Sequence, residues 1–148
     1  MKKIFFALVI TLMGVSAFGQ NTDNLLKHYL AVKNALIDSD AKAAGAAITT
    51  FHEAVKSEAD FSRKQDLLKA TEKLSKAGSN LEKQRASFND VSTLMWKLVE
   101  GADAVSSPVY YQYCPMKKAY WLSTHKEIKN PYYGASMLTC GKVTATKS

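Results

Sequence analysis

Apolar residues recur at helical spacing over residues 24–101, and turn or capping residues interrupt them at three places. This pattern predicts four helices. The first ends near Asp38, the second before a break near Asp60, and the third at Gly78, a residue suited to a left-handed stop. The predicted buried positions are Leu25, Tyr29, Val32 and Leu36; Ala44, Ile48, Phe51 and Val55; Leu67, Leu68, Ala70 and Leu74; and Leu81, Phe88, Val91, Met95, Leu98 and Val99.

Residues that commonly cap helices stand at two of the predicted starts. Ser39 or Asp40 can cap the second helix, and Ser79 with Glu82 has capping-box spacing at the start of the fourth. Connections this short favour antiparallel neighbours. The sequence therefore predicts a mainly α fold, an antiparallel four-helix bundle over residues 24–101.

The chain changes character at Pro108. The tail that follows holds six of the seven tyrosines, all three prolines and both cysteines. Burying aromatic rings is strongly favourable, so we expect residues 108–144 to pack on the bundle. Trp96 and Arg85 are the bundle residues that we expect to contact this tail. This tail is predicted to be irregular, with Asn130 and Gly134 in turns. The most regular structure expected is a short β pair, from a strand at 109–113 and a strand or helical turn at 137–143.

The N-terminus has the pattern of a secretory signal. Two lysines precede an apolar run that ends at Val15, and Ala17 and Gly19 are small residues at the cleavage-site positions. We expect cleavage near Gly19, a periplasmic or secreted location, and one domain over residues 20–148. The apolar run is shorter than a membrane span needs, so the protein is not expected to span a membrane.

Charge and motif content exclude several function classes. The formal net charge is +7, but lysines alternate with acidic residues along the third helix, which is typical of a solvated face. Nucleic-acid binding is therefore not expected. No catalytic carboxylate pair, Ser-His-Asp set or phosphate-binding glycine loop is visible, so an enzyme is not expected. The sequence does not indicate the oligomeric state.

The candidate chemistry lies in two short sulfur motifs. Each brings one thiol and one thioether close together: Cys114 with Met116, and Met137 with Cys140. Closing the tail on itself would gather four sulfurs. Soft sulfur ligands select Cu(I), with Ag(I) following by the same chemistry, whereas Zn(II) would more readily recruit His125 beside the two thiolates. The candidate metal ligands are therefore these four residues, with His125 as a further candidate.

The same two cysteines support a second interpretation. A pair of cysteines in an exported protein typically forms a disulfide, here closing a loop of about 26 residues and worth roughly 3 kcal/mol. Met116 and Met137 would then fill gaps in the core. The pair lacks the Cys-x-x-Cys spacing of a thiol-disulfide catalyst. The alternative to a metal-binding protein is thus a structural or protein-interaction bundle with a Cys114–Cys140 disulfide.

Several segments carry a family resemblance. They are Tyr113-Cys114-Pro115-Met116, Trp121-Leu122-Ser123, the run from 127 to 134, and Met137-Leu138-Thr139-Cys140-Gly141. Together they resemble the C-terminal signature of a bacterial exported domain of unknown function that is also found fused to periplasmic adaptor subunits of copper/silver efflux systems. Gln84, Arg85 and Phe88 resemble the last bundle helix of that family, so the resemblance covers roughly residues 24–143.

The resemblance implies heavy-metal handling in the cell envelope, with a metal-efflux or metal-acquisition protein as partner. Residue by residue, it makes Cys114, Met116, Met137 and Cys140 the ligands. The segment between Met116 and Trp121, Lys117-Lys118-Ala119-Tyr120, is shorter and more basic than the family pattern.

Overall fold

The computed structural model describes residues 17–148, with side chains described from residue 21 onward. The predicted export signal at residues 1–19 therefore lies almost entirely outside the described residues. Within residues 17–148, no helix combines the length and the apolar character that crossing a membrane requires.

Four helices form a bundle, as the hydrophobic pattern predicts. They are α1 (Ala17–Ile37), α2 (Ala41–Ser57), α3 (Lys64–Ser75) and α4 (Leu81–Gly101). Each helix packs against the next along the chain, and α4 also contacts α1 and α2. The predicted core positions are buried, except for three that are half-buried at the margin of the core: Leu68, Leu81 and Leu98. The antiparallel order of neighbouring helices stays a prediction.

The capping residue of α2 is one of the two that the sequence predicts, whereas that of α4 differs from the prediction by one residue. The carboxylate of Asp40 accepts a hydrogen bond from the backbone N–H of Ala43 at 2.9 Å. At α4 the cap is Asn80, whose side chain accepts from the N–H of Lys83 at 3.0 Å. The predicted capping box with Ser79 is therefore wrong, because Asn80 satisfies the free N–H groups of the first turn instead.

The tail is more regular than predicted. Strands β1 (Val109–Cys114), β2 (Ala119–Ser123) and β3 (Lys142–Lys147) form an antiparallel sheet in the order β2-β1-β3. A short 3₁₀-helix, Gly134–Ser136, lies in the connection between β2 and β3. The predicted strand at 109–113 is confirmed as β1, and it pairs with β3, which begins at Lys142. The expectation that the rest of the tail is irregular is wrong, since β2 also forms; residues 137–141 make a turn before β3.

One face of the sheet packs on α4 through a stack of rings. Side chains alternate between the faces of a strand, so Tyr111 and Tyr113 lie on the same face of β1. The ring of Tyr111 stacks on Trp96 of α4 at 4.7 Å and on Tyr120 of β2 at 4.5 Å. Trp96 therefore receives the tail, as predicted.

The outer edge of β2 is covered by the helices. The backbone N–H of Leu122 donates to the hydroxyl of Tyr29 at 3.0 Å, and that of Tyr120 donates to Oδ1 of Asn89 at 2.8 Å. An open strand edge is a site for unwanted pairing with another chain. Here, side chains of α1 and α4 satisfy that edge and hold the sheet against the bundle.

Candidate functional site

Cys114 lies at the end of β1, on the face opposite the ring stack. It shares that face with Gln112, and its thiol is fully buried. The segment 124–141 lies over this face, where Nε2 of Gln112 donates to the carbonyls of His125 at 3.1 Å and Lys126 at 3.2 Å. The strand and the covering segment thus enclose one of the two thiols.

The covering segment brings Cys140 to Cys114. Both cysteines are free thiols, and their side chains are in hydrogen-bond contact. Desolvation, the negative charge of an ionised Cys114 and the hydrogen bond to it raise the pKa of Cys140 above the usual thiol value. Two adjacent thiolates without a cation between them repel each other, so the pair retains a proton until a cation replaces it.

Asn130 holds Cys140 in this position. Its side chain is fully buried, and its Nδ2 donates to the carbonyl of Cys140 at 2.6 Å while its Oδ1 accepts from the N–H of Tyr132 at 2.8 Å. Its backbone N–H donates to the carbonyl of Leu138 at 2.8 Å. Asn130 is the turn residue that the Asn-Pro pair predicts, but its role in fixing a candidate ligand has no signal in the sequence.

Arg85 joins the covering segment, residues 124–141, to the bundle by hydrogen bonds. Its Nε donates to the carbonyl of Pro131 at 2.8 Å, and its Nη2 donates to the carbonyl of Leu36 at 2.8 Å and to Oγ of Ser39 at 3.0 Å. The guanidinium thereby joins the end of α1 to the segment that carries Cys140. The predicted contact of Arg85 with tail carbonyls is confirmed.

The two methionines are exposed. Met116 lies in the β1–β2 turn and is 64% exposed, and Met137 opens the turn before Cys140 and is 37% exposed. The N–H of Cys140 closes that turn by donating to the carbonyl of Met137 at 3.1 Å. Among the residues whose side chains are described, these are the exposed large hydrophobic side chains. The interpretation of both as core gap-fillers is wrong, since both side chains are exposed.

His125 is not brought to the thiols. Cys114 pairs with Ala119 at one end of the β1–β2 hairpin, whereas Ser123 is four residues further along β2, about 13 Å at normal strand rise. His125 follows Ser123 and is exposed, and its imidazole Nδ1 contacts Oγ1 of Thr124 at 3.3 Å. Across residues 17–148 no three side chains of the His, Cys, Asp and Glu types are grouped as a metal site.

Asn130→Asp tests how Cys140 is held. The aspartate keeps the acceptor for Tyr132 but places a carboxylate oxygen against the carbonyl of Cys140, so we expect about 3 kcal/mol lower stability. We also expect at least tenfold slower formation of a Cys114–Cys140 disulfide under a mild oxidant. Chemical denaturation and timed alkylation measure the two effects.

The matched control is Asn89→Asp. Asn89 also uses its Oδ1, here to accept from Tyr120, and the aspartate keeps that hydrogen bond. Its stability and its rate of thiol oxidation should stay close to those of the wild type. If Asn130→Asp behaved like this control, Asn130 would not position Cys140.

The fold and the site define a small four-helix bundle protein with a three-stranded sheet docked on it and two neighbouring thiols, one on the sheet and one in the segment that covers it. Residues 25–107 match the model of a family described as protein of unknown function DUF3347, and the chain belongs to that family. The matched region covers most of the bundle and ends before Cys114, so the sulfur residues lie outside it. No curated protein and no solved structure matches the chain. Fusion to efflux adaptors, which the resemblance implies for relatives, stays a prediction.

Proposed function

We propose that the protein binds one soft metal ion, Cu(I) or by the same chemistry Ag(I), and buffers or delivers it in the cell envelope. The ligands are the thiolates of Cys114 and Cys140 and the thioethers of Met116 and Met137. The observation that carries the proposal is the contact of the two thiols, each of which has an exposed methionine within three residues along the chain.

The ligand set favours Cu(I) over Zn(II). Zinc sites in proteins are completed by further Cys, His or carboxylate ligands, and within the described residues no such third group accompanies the thiols. Thiolates and thioethers are soft ligands and suit Cu(I). His125 is left out of the proposed set because, among the described residues, it is not grouped with the two thiols as a metal site.

The unequal exposure of the ligands has a consequence for metal transfer. Cys114 is fully buried, whereas Met116 and Met137 face solvent. Thioethers carry neither charge nor proton, so they dissociate more easily than thiolates. Transfer to a partner therefore starts on the methionine side, where ligands of the partner can replace them one at a time.

Titration with Cu(I) under reducing conditions tests the proposal. We expect the protein to take up one equivalent in competition with a coloured Cu(I) chelator, and the bound ion to protect both cysteines from alkylation. Absence of uptake by the fully reduced, folded protein would contradict the proposal.

The second candidate function is a structural or protein-interaction bundle locked by a Cys114–Cys140 disulfide. Its support is the same contact, because two neighbouring thiols can be oxidised to a disulfide. Protein purified from the periplasm would then be two mass units lighter than the dithiol form, unreactive to alkylation and indifferent to copper. Intact mass before and after alkylation distinguishes the two functions.

The proposal also predicts how metal affinity depends on pH. The raised pKa of Cys140 means that Cu(I) must displace its proton, so the proton competes with the metal. Below that pKa, each unit fall in pH should weaken binding about tenfold through this group alone. We expect at least tenfold weaker binding at pH 6 than at pH 7, measured by chelator competition with the pH dependence of the chelator itself subtracted. A flat profile between these values would contradict thiolate ligation by Cys140.

The cellular part of the proposal is export followed by metal exchange with an efflux or acquisition protein. Its support is the lysine-led apolar N-terminus, the small residues Ala17 and Gly19, and the family resemblance. Sequencing the N-terminus of protein recovered from the periplasm or the medium tests it. We expect Gln20 to be the first residue.

A further inference from the structure

Lys33 is a buried lysine without a counter-charge. It lies on α1, is only 6% exposed, and no hydrogen bond or ion pair joins its ammonium to another described group. Burying an unpaired charge is costly. Desolvation and the nearby positive charge of Lys129 lower the pKa of Lys33 to about 8, so the ammonium is still mostly protonated at neutral pH.

Lys33 lines a small cavity between α1 and the segment that follows β2. The cavity has a volume of about 220 Å³, and its polar lining also includes Lys129, Ser123, Thr124 and His125. Oγ of Ser123 accepts from the backbone N–H of His125 at 3.1 Å, which leaves its own proton free to donate. Two lysines and two hydroxyl-bearing residues therefore line one space.

The one acidic residue in the lining does not neutralise Lys33. Glu127 pairs with Lys129 at 3.4 Å, and its side chain is 70% exposed. An exposed ion pair of this kind contributes little and rearranges easily. The cavity thus has one more positive than negative charge, and the unbalanced one is the buried ammonium.

We propose that this cavity binds a small tetrahedral oxyanion of the phosphate type, with Lys33 as its main cation. Such an ion presents acceptor oxygens in several directions, which suits ammonium and hydroxyl donors that come from α1 and from the segment after β2. A carboxylate presents only two oxygens in one plane. The cavity lies at the end of the hairpin opposite Cys114, where Ser123 ends β2.

Titration of the full-length mature protein with inorganic phosphate, at constant ionic strength in an oxyanion-free buffer, tests the proposal. We expect saturable binding of one ion, with amide chemical-shift changes centred on residues 123–129. Lys33→Met fills the same volume without the charge and should bind phosphate at least tenfold more weakly. Glu127→Gln, which removes the competing carboxylate, should bind it about threefold more tightly.

The matched control is Lys27→Gln, which removes an exposed lysine from the same helix and should leave binding unchanged. Phosphate should also raise the Tm of the wild type but not that of Lys33→Met, while Lys33→Met should be the more stable protein without phosphate. Any of three results would overturn the proposal. Chloride could cause the same chemical-shift changes as phosphate, acetate could bind more tightly than phosphate, or Lys33→Met could bind phosphate as tightly as the wild type.

Discussion

Replacing Gly134 with alanine is expected to lower the free energy of unfolding by about 4 kcal/mol. Gly134 has a φ of +57°, and a Cβ there would lie 2.7 Å from the carbonyl oxygen of Ile37, 2.7 Å from Oγ of Ser39 and 3.0 Å from Nη2 of Arg85. The backbone conformation alone costs an alanine about 1 kcal/mol, and the contact with a rigid carbonyl forces the loop away from α1. At this chain length, the Tm should fall by roughly 15 °C.

Substitutions at two other glycines separate the two causes of that loss of stability, the backbone conformation and the contact of the added Cβ. Gly78 has a φ of +55° with nothing within 4 Å of the added Cβ, so Gly78→Ala should cost only the conformational part, about 1 kcal/mol. Gly101 ends α4 with equally open space and no positive φ, so Gly101→Ala should be neutral or slightly stabilising. If Gly134→Ala were no worse than Gly78→Ala, the loop would not be fastened closely to α1.

The helical half of the fold could be predicted because its signal is local. Each helix turns an apolar stripe toward one core, and this pattern is visible within about 15 residues of sequence. The start of α4 was misplaced by one residue because Ser79 and Asn80 are both good caps. The neighbouring pattern could not decide between two adjacent residues of the same capping class.

The sheet could not be predicted in full because its signal is weak and its pairing is distant in sequence. Four of the five residues of β2 are buried, so its sequence lacks the alternation that identifies a half-buried strand. In β3 the residues alternate only between exposed and half-buried. The pairing of Tyr110 with Thr146 joins residues 36 positions apart, which no local pattern reveals.

Part of the candidate site could be predicted from the sequence, and the residues that hold it in place could not. The mirrored motifs indicated that Cys114 and Cys140 would meet, and their thiols do. Asn130 holds Cys140 by a hydrogen bond to a backbone carbonyl. Because every residue has such a carbonyl, the residue types in the sequence cannot reveal this contact. Lys33 follows Val32 of the predicted stripe, and its burial appears only when the tail covers that side of α1.

Replacing Cys114 with serine is expected to weaken Cu(I) binding about a thousandfold, or about 4 kcal/mol. A hydroxyl has the size of the thiol but is a hard, neutral oxygen ligand that Cu(I) does not favour. Cys140→Ser should lose a similar amount, and the double variant should lose binding in the chelator competition. Circular dichroism of each variant verifies that the helices still form.

The methionine variants should behave differently. Met116→Leu and Met137→Leu keep the side-chain size and remove only an uncharged thioether, so each should weaken binding only about tenfold. Lys117→Ala, beside Met116 in the same exposed turn, is the matched control and should leave the affinity unchanged. Equal binding by the wild type and the double cysteine variant would contradict the proposed site.

The cysteine and methionine variants also test how the metal ion is transferred to a partner. If the thioethers are the ligands that leave first, Met116→Leu should change the rate of metal transfer to a thiol-containing acceptor more than it changes the equilibrium affinity. A thiolate variant should do the reverse, because Cys114 is buried and retains the ion until the end of the exchange. Stopped-flow transfer to a chelator with known affinity measures both quantities on the same sample. Proportional effects of cysteine and methionine variants on rate and affinity would mean that the four sulfurs release the ion together.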